Sequence, residues 1–527
     1  MTKNLLFYCA FFSMSLAFAQ MPGVYSIDAD GKLYFSSANI ERSSDENQEP
    51  LALVGLALDW DLEDFDISNN PTLDSWDPRM DVHESGNAYV VYSDNYSNGL
   101  QKIMFRKKIG NDEWTTPIFI DKGGEIGARN NHYGAIAVSP NGDLHATYNV
   151  WAYENVRNYV GYSYYNAATD IWSDGVKISD ENGTVNHSSG RHAIYSTADN
   201  LPVVAWGYDY RANQVNEEIY MKFFDGTSWS SDIPVSDVTD NMDAGYPFFK
   251  SIGNDKGMII YSENTAGGVT ELKYRVYDEV THDLSPATLI TDDNIGTFNY
   301  TLATSPSGEV MVLTVHKKNG PDRDVVQVYD YDGNADSFSQ SSHIFEDISS
   351  SAGFKRIAMD CNSNDDCALI YTDIFAENIS FVEYQKNQGF FGPPEVIVDE
   401  DPSWEEPVCK FDIHGNLHVV WNDMRFNDGQ GWDEREVFYK RGVNIYIGTE
   451  EFQNNAVISL YPNPSKGSFS IETKDSFIVE IFDLLGRKIL SKNISGNTEM
   501  KDILSPGTYL IHFTNENSSV VKKLLVE

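Results

Sequence analysis

Histidine, arginine and aromatic residues that could bind a sugar and transfer protons cluster in the first half of this 527-residue chain. Aromatic faces stack on sugar rings, whereas Arg, Lys or protonated His pairs with anionic groups. His and Tyr also act as acids or bases when a site tunes their pKa values. The residues of these types near predicted strand ends include His132, Trp151, Arg191, His192, Tyr208, Arg211 and Tyr246. Their chemistry is that of a site for an anionic carbohydrate.

A repeated pair of short strands would position these residues. Each pair has an apolar strand, a turn rich in Asn, Asp or Gly, and a second strand that often ends in Tyr or Trp. The pairs are MDVHESGNAYVVY, IAVSPNGDLHATY, AIYSTADNLPVVAW, FFKSIGNDKGMIIY, LATSPSGEVMVLTV, IAMDCNSNDDCALIY and KFDIHGNLHVVW. The turn markers are Gly86, Gly142, Asn200, Gly257, Gly308, Asp366 and Gly415, at intervals of 49 to 58 residues.

These intervals suit one four-stranded blade each, so the pattern predicts an all-β, seven-bladed β-propeller over residues 60–447. Unrelated all-β domains in tandem are the alternative. The last repeat lacks an outer strand, whereas the run PLALVGLAL at 50–58 has no partner of its own. Because an unpaired sheet edge is unfavourable, we expect the N-terminal segment 20–59 to close the ring.

In a propeller, the loops that lead into the inner strands and those that leave the second strands meet around the central channel. His132, Arg191, His192 and Tyr246 precede or begin predicted inner strands. Trp151, Tyr208 and Arg211 follow predicted second strands. The propeller fold therefore predicts that all seven lie at one mouth of the channel.

The N-terminus and the charge indicate an exported protein. Residues 1–19, MTKNLLFYCAFFSMSLAFA, combine Lys3, an apolar run and Ala17-x-Ala19, which is typical of a cleaved secretory signal. No later apolar run approaches the roughly 18 residues that a membrane helix needs. With 38 Lys and Arg against 79 Asp and Glu, the formal charge of -41 argues against nucleic acid as a partner. An anionic substrate would require a local basic patch in this acidic body.

Three cysteines remain once the signal, with Cys9, is removed. Cys361 and Cys367 flank the turn-like NSNDD, which predicts a hairpin disulfide in an oxidising compartment. A zinc site that uses these two cysteines with Cys409 and His414 is the alternative, and a structural Ca ion is also compatible with the sequence.

The C-terminal residues 456–527 differ in sequence pattern from the repeats before them. Their short strands are separated by Pro and Gly turns, which predicts a small β-sandwich. Their motifs are Tyr461-Pro462-Asn463-Pro464, Gly486-Arg487, Gly507-Thr508-Tyr509 and Lys523-Leu524. The segment closely resembles the type A C-terminal sorting domain of the type IX secretion system. The resemblance implies recognition by that secretion machinery and passage across the outer membrane, followed by release or surface attachment.

Residues 60–445 resemble sialidase-like repeat proteins and, within them, the seven-bladed ulvan lyases that cleave a sulfated algal polysaccharide. Those enzymes use a His at the start of an early inner strand, with Tyr and Arg on neighbouring blades. The matching residues are His132 in NNHYG, Tyr195 in RHAIYS, Arg211 in GYDYR and Tyr246 in AGYPF. The resemblance implies that these four are catalytic, and that Trp151, Arg191, His192 and Tyr208 bind substrate.

The implied reaction is β-elimination of a 4-linked uronic acid, in which a base removes the C5 proton and an acid protonates the departing O4. Arg211 would stabilise the enolate-like transition state, His132 and Tyr195 would transfer protons, and Tyr246 would position or donate. This scheme needs no metal or other cofactor. We expect a secreted monomer that acts on an anionic polysaccharide.

Two other classes use the same predicted fold. A sialidase would need three arginines around a carboxylate and a Tyr/Glu pair, and another glycosidase could use the carboxylates of Asp94, Glu263 and Asp373 on the same rim. A glycan-binding propeller without catalytic activity would keep the aromatic residues and need no base.

Overall fold

The computed structural model places the chain in two compact units, Met1–Asn444 and Ile445–Glu527. The described residues are 25–27, 33–35, 56, 58–70, 73–95, 100–109, 113–124, 126–152, 157–179, 188–208, 217–239, 242–265, 268–291, 300–317, 324–346, 354–373, 377–386, 389–400, 407–425, 435–444, 458–463, 465–473, 476–483, 488–501, 504–515 and 518–526. The predicted signal at 1–19 and most of the segment 20–57 lie outside these ranges.

In the first unit, the described residues from 58 to 444 form seven antiparallel sheets, which we number 1 to 7 in chain order of their inner strands. Sheet 1 contains Ser75–Val82, Ala88–Asn95, Gln101–Ile109, Glu113–Trp114 and Ile118–Phe119. Sheet 2 contains Asn130–Val138, Leu144–Ala152, Arg157–Asn166, Ile171–Trp172 and Val176–Lys177. Sheet 3 contains Ser188–Ser196, Pro202–Tyr208, Glu218–Phe223 and Ile233–Pro234. Sheet 4 contains Ala244–Gly253, Lys256–Asn264, Thr270–Asp278 and Thr288–Thr291.

The remaining three sheets repeat this order. Sheet 5 contains Tyr300–Thr304, Val310–Lys317, Asp324–Asp332 and Ser337–Phe345. Sheet 6 contains Phe354–Cys361, Asp366–Asp373, Asn378–Gln385, Phe390–Phe391 and Glu395–Val398. Sheet 7 contains Val408–Phe411, Leu417–Asp423 and Glu436–Asn444, with Leu58–Trp60 and Phe65–Asp66 at its outer edge. A short 3-10 helix, Ile126–Ala128, precedes sheet 2, and Tyr25–Ile27 pairs with Leu33–Phe35.

The seven sheets form a closed ring. The inner strand of each sheet contacts the inner strand of the next, and that of sheet 7 contacts that of sheet 1. A separate cluster of buried apolar side chains fills the gap between every neighbouring pair of sheets. The expectation of an all-β chain is confirmed.

An N-terminal segment that contains Leu58–Trp60 and Phe65–Asp66 joins the last sheet. Leu58–Trp60 pairs with Gly442 to Asn444, and Phe65–Asp66 pairs with Phe438 and Tyr439. Residues 50–55, which carry most of the apolar run PLALVGLAL, lie outside the described ranges. The outer edge of sheet 7 is therefore covered by strands that straddle the predicted boundary at residue 60.

The turn markers form closed hairpin turns in most of the repeats. Gly86 and Gly142 have φ of +82° and +87°, which glycine adopts without steric penalty. Their N–H groups donate to the carbonyl oxygens of His83 and Ser139 at 2.8 Å. Gly308, Gly415 and Asn200 repeat this geometry, so a shared local turn underlies the repeat.

A disulfide links Cys361 and Cys367 across the hairpin of sheet 6, as the sequence predicted. The bond occupies two of the four sulfur and nitrogen ligands that the alternative zinc site would need. Cys409 is buried and carries a free thiol. Among the described residues, no group of three or more His, Cys, Asp and Glu side chains is arranged to hold a metal ion.

The second unit has two antiparallel sheets. One contains Ser459–Tyr461, Phe469–Glu472 and Thr498–Met500. The other contains Ser476–Asp483, Lys488–Ser495, Gly507–Asn515 and Ser518–Val526. Apolar residues of both sheets, such as Phe469, Ile471, Val479 and Phe513, share one buried cluster. No helix in the described parts of either unit is long and apolar enough to cross a membrane.

Candidate active site

The inner strands of sheets 1, 2 and 4 share an irregularity near their first residues. Each ladder shifts register at this point, and the residue inside the shift has a positive φ. These residues are Asp77 (φ 52°), Tyr133 (φ 54°) and Tyr246 (φ 56°). A β-bulge redirects side chains, and an L residue in this region is disfavoured by about 1–2 kcal/mol. Three equivalent strained bulges at one end of the ring mark that end, which we call the mouth, as the candidate functional face.

Contacts with neighbouring sheets hold each bulge in place. The Asp77 N–H donates to Asn422 Oδ1 at 2.9 Å, and the Tyr133 N–H donates to Ser93 Oγ at 3.0 Å. The carbonyl oxygen of Tyr246 accepts a hydrogen bond from the Tyr300 hydroxyl at 2.6 Å. Each strained bulge is therefore fixed by a hydrogen bond to one adjacent sheet.

His132 lies directly before the bulge of sheet 2 and is buried, with 8% of its surface exposed. Its Nε2 has no hydrogen-bond partner among the described residues. Its ring stacks on Trp151, with ring centroids 5.2 Å apart and planes 17° apart. Burial lowers the pKa of His132 to about 4, so the imidazole is neutral and able to accept a proton at pH 7.

His192, on the inner strand of sheet 3, is a second neutral imidazole near His132. It is 7% exposed, and neither ring nitrogen has a partner within the described part of the chain. The pKa of His192 is lowered to about 3, mainly by burial and to a smaller extent by the neighbouring His132. Buried polar nitrogens are normally hydrogen-bonded, so two adjacent imidazoles with three unpaired nitrogens need an explanation.

Trp151 gives the histidine pair an accessible aromatic face. It lies near the end of the second strand of sheet 2, diagonally across the ladder from His132, and is 37% exposed. A large aromatic residue at this exposure, stacked on a neutral base, can carry a sugar ring beside that base. The structure thus brings together His132, His192, Trp151 and the bulge that carries Tyr133.

Tyr195 has a different place, which corrects its assignment as a proton-transfer residue. It is buried between sheets 3 and 4, with its ring 4.7 Å from that of Phe249 in an edge-on arrangement. Its hydroxyl donates to Glu279 Oε1 at 3.1 Å, and burial raises its pKa far above the ordinary value. Tyr195 therefore belongs to the core between two sheets and has no access to the mouth.

The other predicted site residues are only partly described. Tyr246 lies in the bulge of sheet 4 at the mouth and packs partly against the cluster between sheets 4 and 5. Arg191 and Tyr208 are placed in the strands Ser188–Ser196 and Pro202–Tyr208, near the mouth. The side chains of Arg191 and Tyr208, and all of Arg211, lie outside the described part of the chain.

The rim carboxylates that a glycosidase could use are all buried. Asp94 accepts hydrogen bonds from Ser75 Oγ at 2.9 Å and Asn70 Nδ2 at 3.3 Å, and burial raises its pKa. Glu263 is buried and pairs with Lys273. Asp373 is buried on the second strand of sheet 6. These three lie in sheets 1, 4 and 6.

Sequence reasoning missed a set of cationic residues below the mouth. A cavity of about 160 Å³, which we call the axial cavity, is walled by residues of all seven sheets. Its wall includes His192 together with Arg79, Lys250 and Lys410. Lys250 and Lys410 lie within strands that the sequence predicts as inner strands, and Arg79 directly precedes another, so that position was the available signal.

Comparisons with known proteins identify the C-terminal unit. Residues 459–527 match the family model described as a secretion system C-terminal sorting domain. This segment is a sorting domain. It directs type IX export to the cell surface or the extracellular space, as its motifs implied. No curated protein sequence matches the chain.

Several solved structures are partly similar to this chain. A Hadza microbial sialidase is 9% identical with a TM-score of 0.43, covering 72% of this chain and 68% of the other. A protein of unknown function from Dyadobacter fermentans is 11% identical with a TM-score of 0.44, covering 74% and 99%. An α-L-arabinanase from Penicillium chrysogenum is 12% identical with a TM-score of 0.42, covering 72% and 97%. At these scores, the chemistry of the site has to be argued from its own residues.

Proposed function

We propose that the ring of seven sheets is a seven-bladed β-propeller and that the protein is a secreted polysaccharide lyase. Its substrate is a uronate-containing, sulfated polysaccharide of the ulvan type. One observation carries the proposal: His132 and His192 are adjacent, neutral and unpartnered among the described residues, and His132 stacks on the exposed ring of Trp151. A lyase needs such a neutral base next to a sugar-binding surface.

The reaction assigns a role to each group. A neutral imidazole removes the C5 proton, the C4–C5 double bond forms from the released electron pair, and the C4–O4 bond breaks. We assign the role of base to His132 because its Nε2 has no partner among the described residues and its ring stacks on Trp151. Tyr246 takes the place of Tyr195 as the acid and donates the proton that O4 takes up, and His192 is assigned to substrate binding beside His132.

We assign charge stabilisation to two arginines that adjoin the strands of sheet 3 in the sequence. C5 is weakly acidic while the uronate carboxylate is charged, so a cation must offset the charge of the enolate-like transition state. Arg211 follows the second strand of sheet 3, and Arg191 directly precedes His192. We propose that Arg211 and Arg191 bind the uronate carboxylate. Tyr208 and Trp151 would bind the neighbouring sugars. The reaction requires no metal, and we expect the protein to act as a monomer.

The test is the release of unsaturated uronyl ends from ulvan, followed by ultraviolet absorbance. We expect the wild-type protein to produce these ends, and His132→Ala to lose roughly 10²- to 10⁴-fold in kcat because proton transfer is lost. Trp151→Ala should chiefly raise KM. Because the pKa of His132 is lowered to about 4, kcat/KM should stay high through mildly acidic pH and fall only as the pH approaches that value.

Other outcomes would redirect the assignment. Reducing ends without unsaturation would indicate a glycoside hydrolase of sialidase-like type. Saturable binding without any product, from ulvan, pectate, alginate or heparinoids, would indicate a glycan-binding propeller. Weaker binding with unchanged kcat in His132→Ala would mean that this residue only contacts the glycan.

A further inference from the structure

The axial cavity has a cationic wall inside a strongly acidic protein. Arg79, Lys250 and Lys410 are the formally charged residues among its described lining, and that lining includes no Asp or Glu. Lys250 follows Tyr246 by four residues on the same strand, so it lies deeper in the ring than the mouth. The cavity, at about 160 Å³, is comparable to an engineered cavity of roughly 150 Å³ that admits benzene. A small polyatomic ion fits within it.

The two lysines are close to each other and only loosely paired. Lys250 Nζ is 3.8 Å from Asp360 Oδ1, and Lys410 Nζ is 3.9 Å from the same oxygen. Lys410 Nζ is also 3.6 Å from Asp81 Oδ1. These distances exceed the range of about 2.7–3.2 Å for N–H···O hydrogen bonds, so the ammonium donors have capacity for another acceptor.

The two aspartates have structural roles of their own. Asp81 Oδ2 accepts the N–H of Val138 at 2.8 Å, which ties sheet 1 to sheet 2. Asp360 Oδ2 accepts the N–H of Phe411 at 2.9 Å, which ties sheet 6 to sheet 7. The closure of the ring therefore explains the positions of the two aspartates, and the two lysines supply their counter-charges at distances longer than a hydrogen bond.

The electrostatics of the two lysines differ. Burial lowers the pKa of Lys410, but the carboxylates of Asp360 and Asp81 outweigh this effect and raise it, whereas the charge of Lys250 is incompletely compensated. Burial and then the neighbouring Lys410 lower the pKa of Lys250 to about 8, and these effects outweigh the opposing attraction of Asp360 and Asp81. An anion between the two ammonium groups would remove the repulsion and supply hydrogen-bond acceptors. A charge-assisted contact of this kind is among the stronger polar interactions in proteins.

We propose that the axial cavity binds one tetrahedral oxyanion, sulfate, between Lys250 and Lys410. This site goes beyond the proposed function and does not depend on lyase activity. The sulfate comes either from free sulfate or from a sulfate ester on a polysaccharide. If the source is a sulfate ester, the axial cavity, which lies below the mouth, selects polysaccharide chains that carry sulfate.

The experiment follows thermal unfolding of the full chain in sodium sulfate against sodium chloride of matched ionic strength. Lys250→Met and Lys410→Met remove an ammonium group and keep an unbranched side chain, whereas Lys256→Met changes an exposed lysine in the hairpin of the same sheet. Sulfate should raise the Tm of the wild type and of Lys256→Met by about 2–5 °C more than that of the two cavity variants. An equal gain in all four proteins would show only the general stabilisation by an excluded salt and would overturn the proposal.

Direct binding keeps the proposal testable if a cavity variant does not fold. Equilibrium dialysis of labelled sulfate against the wild type should give saturable binding close to one ion per chain, and its absence would overturn the site. Displacement of the label by sulfated but not by desulfated polysaccharide would identify the ester as the source. Displacement by neither polymer would identify free sulfate. Neither result depends on the appearance of unsaturated uronyl ends, so this site and the lyase can fail separately.

Discussion

The family resemblance assigned two residues of the strand RHAIYS, His192 and Tyr195, to one site, but the two-residue repeat of a β-strand places them on opposite faces. Neighbouring side chains of a strand face opposite sides, so His192 and Tyr195, three residues apart, face different surroundings. His192 lines the axial cavity, whereas Tyr195 packs on Phe249. The strand period alone could therefore have excluded Tyr195 from the site. Its partner Glu279 could not have been predicted, because that contact depends on the packing of two sheets.

This placement makes Tyr195 a test of the corrected site. Tyr195→Phe keeps the ring in the core and removes only the hydroxyl that donates to Glu279. We expect kcat on ulvan to stay near the wild-type value and the free energy of unfolding to fall by about 1 kcal/mol, measured by urea denaturation. Tyr195→Ala, which also removes the ring, should lose about 3–5 kcal/mol. A hundredfold loss of kcat in a stable Tyr195→Phe protein would return this residue to the catalytic site.

At the scale of secondary structure, hairpin turns were predictable and the bulges were not. Glycine turn markers such as Gly86 and Gly142 have a conformational reason that the sequence displays directly. The bulges follow only a weak local pattern, in which Asp77, Tyr133 and Tyr246 each precede Pro or Gly. Tyrosine is unusual at positive φ, so propensity argued against the observed backbone. Contacts from neighbouring sheets hold that conformation, and no local sequence rule includes them.

The strain at Tyr133 predicts an unusual order of stability. In an ordinary strand, Ala is more stable than Gly by roughly 0.5–1 kcal/mol. At φ 54° the Cβ atom is unfavourable, so we expect Tyr133→Gly to be more stable than Tyr133→Ala by about 1 kcal/mol in urea denaturation. Both variants lack the ring that lies 4.6 Å from His132, so the comparison isolates the backbone. If Ala proves the more stable of the two, the bulge is not strained.

At the scale of the whole molecule, the repeat and the missing outer strand together implied a ring closed by the N-terminal segment. The observed pairing of Leu58–Trp60 with the last strand of sheet 7 has this form. The net charge of -41 also implied that any anion site must be local, and Arg79, Lys250 and Lys410 form such a patch. The residues of the patch could not be chosen in advance, because only the closed ring brings strands so distant in sequence to one axis.

Ring closure also buries a carboxylate whose charge is poorly compensated. Glu436 begins the strand Glu436–Asn444 and is fully buried, and it accepts hydrogen bonds from the Ser68 hydroxyl and, at 3.4 Å, from the Asn70 N–H of the closing segment. Its Oε1 has no partner among the described residues. Burial, with Asp66 and Asp94 nearby, raises the pKa of Glu436 from 4.5 to about 7. The junction between the first and last sheets is therefore most favourable when this group is protonated.

The raised pKa predicts how the stability of the closed ring depends on pH. Below pH 4.5, Glu436 is protonated in both the folded and unfolded chains and imposes no penalty. As the pH rises from 4.5 to about 7, the unfolded chain ionises first and stability is lost, on the order of 3 kcal/mol. Glu436→Gln should remove this loss and be the more stable protein at pH 8, whereas Glu84→Gln, at an exposed turn of sheet 1, should follow the wild type. The measurement is the free energy of unfolding in urea between about pH 4.5 and 8. If Glu436→Gln and the wild type show the same pH dependence, the charge of the buried carboxylate is already compensated and the prediction is wrong.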